Sequence, residues 1–345
     1  MWRCIVTSLL CLGLGTPLQG AGVTVDTGRT YTLLSRSAPA SVQPSLTPAQ
    51  REWLAERQEL VLGTSAPDYP PFDIATGGRE YQGLTADYAG LVGSALGLPV
   101  RVQRFPSRPA AVAALKSGHI DLLGSANGYE AVTQGLALSL PYAIDQPVLV
   151  TREDETRALD TGLAGMRLSM LYHYLPPGEI RANYPKAELL TFESSTQALN
   201  AVAFEQADVF IGDTISTHYL ISQGHLPHLR MANFGKHEAV GFSFAMREDA
   251  RILQSLVDAA LDAQPNATRN DIFKRWSASS GSLLTDRKLQ LSAREEKRFG
   301  GLGPAVQRSA PGPAASLAGA ERPSAPCRSS STPPRQWFRW RPLPD

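Results

Sequence analysis

The sequence predicts an α/β fold of two mixed, mostly parallel sheets with helices on both faces. Three observations carry this. Strand-like and helix-like segments alternate from residue 60 to about 263. They fall into two sets with one grammar: Gly118-His119-Ile120-Asp121-Leu122-Leu123-Gly124 is echoed by Gln206-Ala207-Asp208-Val209-Phe210-Ile211-Gly212-Asp213. A late apolar run, 241–246, reads as a buried strand able to return to the first sheet.

In chain order, Met1-Trp2-Arg3, an apolar run over 4–14 and small residues near Gly20-Ala21 read as a secretory signal peptide over 1–21. That run is too short to span a bilayer. Residues 22–45 are rich in Thr, Ser and Pro and read as a linker. Thr47-Pro48-Ala49-Gln50 has capping-box spacing with proline in the first turn, so a helix starts there, with Trp53 and Leu54 as its buried contacts. The first set comprises strands at 60–64, 100–105, 120–124 and 147–151 and helices at 85–96 and 109–116. Thr85 caps the first of these helices and Gly97 ends it. The second set comprises strands at 167–170, 189–192 and 209–212 and helices at 196–205 and 214–222. Behind the returning strand, 249–263 forms an amphipathic helix with Ile252, Leu253, Leu256, Val257 and Leu261 on one face.

The composition of the 345 residues sets limits. Apolar residues make up 43%, enough for a sizeable core. A net charge of +1 gives no case for nucleic acid or an anionic membrane. Cys327 is the only cysteine beyond the signal segment, so the folded part is expected to lack disulfides. No later run approaches ~20 apolar residues, so no membrane insertion is expected after signal cleavage. Leu291-Ser292-Ala293-Arg294-Glu295 is similar to Leu46-Thr47-Pro48-Ala49-Gln50 and marks the start of a second repeat over 286–299. The pattern then dissolves. Residues 300–345 are aperiodic and rich in Pro, Ser, Gly, Ala and Arg, which reads as disorder. Its abrupt start favours a frameshifted or truncated reading frame; a natural flexible tail is the other reading.

The landmarks between residues 62 and 142 come in an order that few architectures use. A strand runs into Asp68-Tyr69-Pro70-Pro71-Phe72; Tyr81-Gln82-Gly83-Leu84-Thr85-Ala86-Asp87-Tyr88 opens a helix; Leu138-Ser139-Leu140-Pro141-Tyr142 closes the stretch. This resembles periplasmic solute-binding proteins of family 3, and more closely the Venus flytrap sensor domains of BvgS-type hybrid histidine kinases. The resemblance covers 46–285. It implies a periplasmic-binding-protein-like (type II) bilobal Venus flytrap whose two mixed sheets are joined by a two-strand hinge. The chain would cross to the second lobe near 148–152 and return near 241–246, with ligand in the cleft at the strand ends.

An amino-acid-binding clamshell needs a guanidinium for the α-carboxylate, backbone amides for the same anion and a carboxylate for the ammonium. By resemblance the arginine belongs in Tyr129-Glu130-Ala131-Val132, where none stands; Arg152 and Arg104 are possible substitutes. His173-Tyr174 and Leu175-Pro176-Pro177 replace the family's Gly-Thr loop. Asp213 matches the ammonium-binding carboxylate. A free α-amino acid is therefore not the expected ligand. The candidate ligand-binding residues are Tyr69 and Phe72 for stacking, Asn127 and Tyr129 past a strand end, Tyr174, and Asp213. Their alternatives are loop packing for the aromatics, turn-making for Asn127 and Tyr129, and a helix N-cap for Asp213.

His218, His225, His228 and His237 lie close in sequence, but the stretch around 224–227 is loop-like, and no metal or cofactor is expected. No nucleophile elbow, phosphate loop or metalloprotease motif occurs, so no catalytic activity is expected. The expected function is ligand sensing in the periplasm as part of a BvgS-like two-component sensor, with a small polar ligand in the cleft and flytrap–flytrap contacts in a full-length dimer. The alternatives are a substrate-binding subunit of an ABC importer and a rigid spacer whose cleft binds nothing.

Overall fold

The computed structural model describes residues 28–40, 42–223, 226 and 228–277. The signal peptide, the second repeat and the tail lie outside the described residues. Among those described, no helix is long and apolar enough to cross a membrane.

The first lobe opens with β1 (Arg29–Leu33), α1 (Pro48–Ala55) and β2 (Leu60–Ser65). It continues through β3 (Ile74–Ala75), β4 (Glu80–Gln82), α2 (Leu84–Leu96), β5 (Val100–Phe105) and α3 (Arg108–Lys116). Then come β6 (Leu122–Ala126), α4 (Gly128–Gln134), β7 (Leu136–Leu138) and β8 (Ala143–Asp145). The second lobe holds β9 (Pro147–Arg152), β10 (Arg167–Leu171), α5 (Pro177–Asn183), β11 (Glu188–Phe192), α6 (Ser195–Ala203), β12 (Val209–Asp213), α7 (Thr214–Ser222) and β13 (Leu229–Phe234). β14 (Val240–Arg247) returns to the first lobe, followed by α8 (Arg251–Asp262) and α9 (Asn266–Ser277).

Both sheets are mixed and share one plan. In the first the central order is β5-β2-β6-β14-β7; in the second it is β11-β10-β12-β9-β13. β2, β5 and β6 run parallel, and β14 inserts antiparallel between β6 and β7. β10, β11 and β12 run parallel, and β9 inserts antiparallel between β12 and β13. In each sheet the inserted strand is the one that has just crossed from the other lobe. The expected double crossing is present, at β8–β9 and β13–β14.

The cores follow from patterning. β2, buried along almost its whole length, and β14, with Phe242, Phe244 and Met246 fully buried, carry continuous apolar runs because helices cover both faces of the sheet. α8 presents Leu253, Leu256, Val257, Ala260 and Leu261 to that core, while Ile252 is 40% exposed and falls off the stripe. α1 starts with the expected Thr47–Gln50 capping box, but Trp53 and Leu54 are only half-buried.

Three local expectations are corrected. The segment read as a linker contains β1, which pairs antiparallel with β5 and parallel with β4. Its alternation over five residues is too short to stand out from its polar surroundings. Thr85 does not cap α2; Gly83 does. Its φ of 132° is open to glycine, and a Cβ there would stand 2.1 Å from the Phe72 carbonyl oxygen. The first amides of α2 instead donate to the carbonyls of Pro71 and Phe72, at 2.9 and 3.1 Å. Finally, Asn127-Gly128-Tyr129 is no turn: it opens α4, with Asn127 as N-cap accepting from the Glu130 amide.

The two ends of the domain meet at Asp87 on α2. Its fully buried carboxylate accepts from the Arg36 amide (2.6 Å), Arg275 Nη1 (2.5 Å) and Trp276 Nε1 (2.8 Å). α9 packs against both α2 and α7, so it touches both lobes. Asp87→Ala should destabilise the domain by about 3 kcal/mol, since it leaves the Trp276 indole N–H and the Arg275 guanidinium without their acceptor. Urea unfolding followed by Trp fluorescence measures this; a change below ~1 kcal/mol would refute the assignment of Asp87 as the joint.

Candidate functional site

The cleft floor is set by the loop that leaves β2. Tyr69 and Asp73 exchange backbone hydrogen bonds of 2.9 Å, closing a tight ring, and the amides of α2 hold Pro71 and Phe72 from below. This fixes Tyr69 so that its hydroxyl reaches across to the second lobe. There it donates to Asp213 Oδ2 at 2.6 Å, with both groups buried. Asp213 is also the N-cap of α7, accepting from the Ser216 amide (2.6 Å) and hydroxyl (2.9 Å). The cap reading and the cleft reading of Asp213 thus hold together.

A second bridge comes from Asn127. Its Oδ1 caps α4 while its Nδ2 donates to the carbonyls of His173 (3.0 Å) and Tyr174 (3.3 Å) on the other lobe. Aromatic rings fill the space between. Tyr69 lies 5.3 Å from Phe72 and 6.1 Å from Phe242, and meets His173 edge-on at 6.4 Å. Phe242 stacks on Tyr174 at 6.5 Å and contacts Phe72 at 4.3 Å. The bulky pair His173-Tyr174 therefore serves as packing against the first lobe. Between the lobes remains a cavity of about 20 Å³, lined by Tyr69, Asp73, Arg108, Ser125, His173 and Glu193 among others. The cleft is closed on the protein's own side chains.

Four of the expected site residues converge here: Tyr69, Tyr174, Asp213 and Asn127. Phe72 lies fully buried behind Tyr69 as support. Tyr129 does not join them. It sits on α4 facing an outer groove of about 270 Å³ with Arg108, Lys116, Gln134 and Tyr172. Val132, at the position where the resemblance puts the arginine, is 82% exposed. Neither substitute arginine reaches the cleft bridge. Arg104 pairs with Asp68 at 2.5 Å, and Arg152 donates to the carbonyls of Val202 and Ala207 within the second lobe.

The charged groups that sequence reasoning missed are Arg108, Glu130, Asp73 and Asp145. Arg108 and Glu130 form a buried two-pronged pair (2.7 and 2.6 Å), and Arg108 also donates to the Gly124 carbonyl. The guanidinium holds the Glu130 carboxyl below its ordinary range against the opposing effect of burial. Asp73 accepts from the hydroxyls of Tyr81 and Ser125, yet burial raises it. Tyr142, of the Pro-Tyr pair, accepts from the Ser125 amide and lies 3.1 Å from the Thr85 hydroxyl. Asp145, at the hinge, accepts from the Thr214 amide of the second lobe. Burial, and then the neighbouring Asp213, push it up to about 8; burial raises Asp213 as well. His173 is pushed down to about 4 by burial and by Arg108, so it is neutral at pH 7. The arrangement offers buried acceptors, hydroxyls and rings, and the guanidinium of Arg108 is already matched.

Comparison with known proteins agrees with this architecture. Bacterial extracellular solute-binding proteins, family 3, match over residues 60–279. The virulence sensor protein BvgS of Bordetella parapertussis is 40% identical over 292 residues, 84% of this chain and 24% of the relative. The sensor protein EvgS of Escherichia coli O157:H7 is 24% identical over a similar span. The chain thus spans about a quarter of the length of these curated relatives. Among solved structures, the B. pertussis BvgS periplasmic domain matches with a TM-score of 0.66 and 39% identity over 80% of this chain and 53% of that one. The arginine-binding protein ArgBP of T. maritima, P235GK mutant, shares the fold at a TM-score of 0.55 and 18% identity, covering 66% of this chain and 99% of that one. With its two crossing strands, twin mixed sheets and inter-lobe cleft, the chain belongs to the bacterial extracellular solute-binding proteins of family 3.

Proposed function

We propose that this chain is the periplasmic ligand-sensing clamshell of a BvgS-like sensor, and that its cleft, built on Tyr69, Asn127, Tyr174 and Asp213, is the sensing site. The observation that carries the reading is the pair of bridges across the cleft, Tyr69 to Asp213 and Asn127 to the carbonyls of residues 173 and 174. Direct side-chain bridges give the closed form a stability of its own. A ligand then acts by its differential affinity for open and closed lobes, as a sensor requires. An ABC-importer subunit is the weaker reading, because its ligand must itself supply the bridge, and the arginines described above are engaged elsewhere rather than free to grip an α-carboxylate. In the sensor reading the domain does no chemistry. It shifts between two lobe arrangements, and α9, which packs on both lobes, carries the difference to the C-terminal side of the domain.

Removing both bridges should open the clamshell. Tyr69→Phe with Asn127→Ala takes away three inter-lobe hydrogen bonds, each worth ~0.5–1.5 kcal/mol net and more where a carboxylate accepts. Small-angle scattering should show a larger radius of gyration than for the unaltered protein while circular dichroism stays the same. An unchanged radius would refute the sensing hinge.

The hinge carboxylates make folding stability depend on pH. Asp145 has a folded-state value raised to about 8, above the ordinary ~3.9 of an unfolded Asp. The folded state therefore binds the extra proton, and stability falls as pH rises from about 4 through about 8. Melting temperature should decline between about pH 6 and about 8.5, and Asp145→Asn should flatten that decline. Parallel curves for the two proteins would overturn the assignment.

A further inference from the structure

Outside the cleft, an open groove of about 270 Å³ runs between α3 and α4 and ends against the second lobe. α3 gives it one helix face, positions 109, 112, 113 and 116. α4 gives it the opposing face, positions 129, 130, 133 and 134. The third wall is the turn Tyr172-His173, tied to the second lobe by the bond from the Tyr172 amide to the Phe192 carbonyl (3.0 Å). Arg108 and His173 line both this groove and the small cavity between the lobes, and so form the partition between the two spaces. Neither Val132 nor Asp213 lines the groove. Tyr129, which the cleft leaves unused, faces it.

The groove carries charge at one end. Arg108 and Glu130 cancel through their two bonds of 2.7 and 2.6 Å, and His173, pushed down to about 4 by burial first, is neutral at pH 7. Lys116, on the last turn of α3, has no carboxylate partner among the described residues. Its ammonium donates only to the neutral Gln134 Oε1, at 3.3 Å. From its first residue, Arg108, to Lys116 the helix rises about 12 Å, so the groove is long and has one unmatched cation at its end. Along that length lie Val112, Ala113 and the rings of Tyr129 and Tyr172, which offer apolar surface.

The third wall belongs to the closed form. Asn127 caps α4 and donates to the carbonyls of His173 and Tyr174, at 3.0 and 3.3 Å. That bridge holds the Tyr172-His173 turn against the helices of the first lobe. Opening the lobes draws this wall away from the other two.

We propose that the groove is a second ligand site, for an amphiphilic monoanion: a carboxylate on an elongated apolar body. The carboxylate meets the Lys116 ammonium and the Gln134 amide. The body lies along Val112 and Ala113 and against Tyr129 and Tyr172. Such an occupant touches both lobes, so it binds the closed form better and adds to the closed population. The proposal rests on the clamshell reading above and adds a control point outside the cleft. An exposed ion pair by itself contributes little, so a short anion without the body is not retained. A cation of the same length meets Lys116 and is repelled.

The test is calorimetry on the full chain with octanoate, set against butyrate and octylammonium. Octanoate should bind with a Kd below about 1 mM, and the other two at least about tenfold more weakly. Lys116→Glu, at an exposed position, reverses the charge and should weaken octanoate at least about tenfold. Ala113→Trp, also exposed, fills the groove and should abolish detectable binding while circular dichroism stays the same. The opened Tyr69→Phe, Asn127→Ala variant should bind octanoate at least about fivefold more weakly than the unaltered protein. Saturating octanoate should bring its radius of gyration back toward the unaltered value. Silence of octanoate, equal affinity for octylammonium, or undiminished binding to Lys116→Glu or Ala113→Trp each overturns the groove site. Undiminished binding to a variant shown by scattering to be open overturns its coupling to closure. The clamshell reading is judged separately, by the scattering of that double variant without octanoate.

Discussion

Two crossing strands govern this domain. β9 enters the second sheet between β12 and β13, and β14 enters the first between β6 and β7. Each is antiparallel to its new neighbours and hydrogen-bonded on both edges. Neither crossing can shift along its sheet without breaking a ladder on each side, so the lobes are tied at their base and free to differ only in how far they close. The same crossings bring Asp145 and Asp213 together, because β8 and β12 both end where the chain changes lobes.

What closes the lobes is distinct from what joins them. The joint is backbone pairing; the closure is side chains. Tyr69 and Asn127 reach from the first lobe, Asp213 and the backbone of residues 173 and 174 receive them, and aromatic rings exclude water around them. Exclusion of water strengthens each bridge and also raises the cost of the unmatched carboxylates. Closure therefore carries an opposing electrostatic term, seen in the upward shift that burial imposes on Asp145 and Asp213. The pair Arg108–Glu130 stands beside this arrangement as a neutral, fully bonded unit, so it stiffens the first lobe without adding net charge to the cleft.

The arginine beside this cleft, Arg108, is already engaged by Glu130. The register of α4 explains how. Its N-cap is Asn127, so the inward first-turn residue is Glu130, and Val132 lies on the solvent face. The inward side chain of that turn is thus a carboxylate, and it is bound to Arg108.

Much of this was legible in residue order. Apolar runs revealed β2, β5, β9, β12, β14 and α8, the Thr47–Gln50 capping box marked the start of α1, and Gly97 marked the end of α2. Tyr69, Tyr174, Asn127 and Asp213 could be singled out because loops at strand ends carry clefts in such folds. β1, β3 and β4 are too short to show a period, and α4 was hidden by a glycine that looked like a turn. The sequence by itself determined the two-set plan and the return strand, since these depend on which segments are apolar enough to be buried. Only the tertiary structure decided that Tyr69 answers Asp213, that Arg108 is consumed by Glu130, and that Asp145 stands beside Asp213. Those are contacts between residues 144, 22 and 68 positions apart, and no local pattern encodes a charge balance set by which distant strands end at the same hinge.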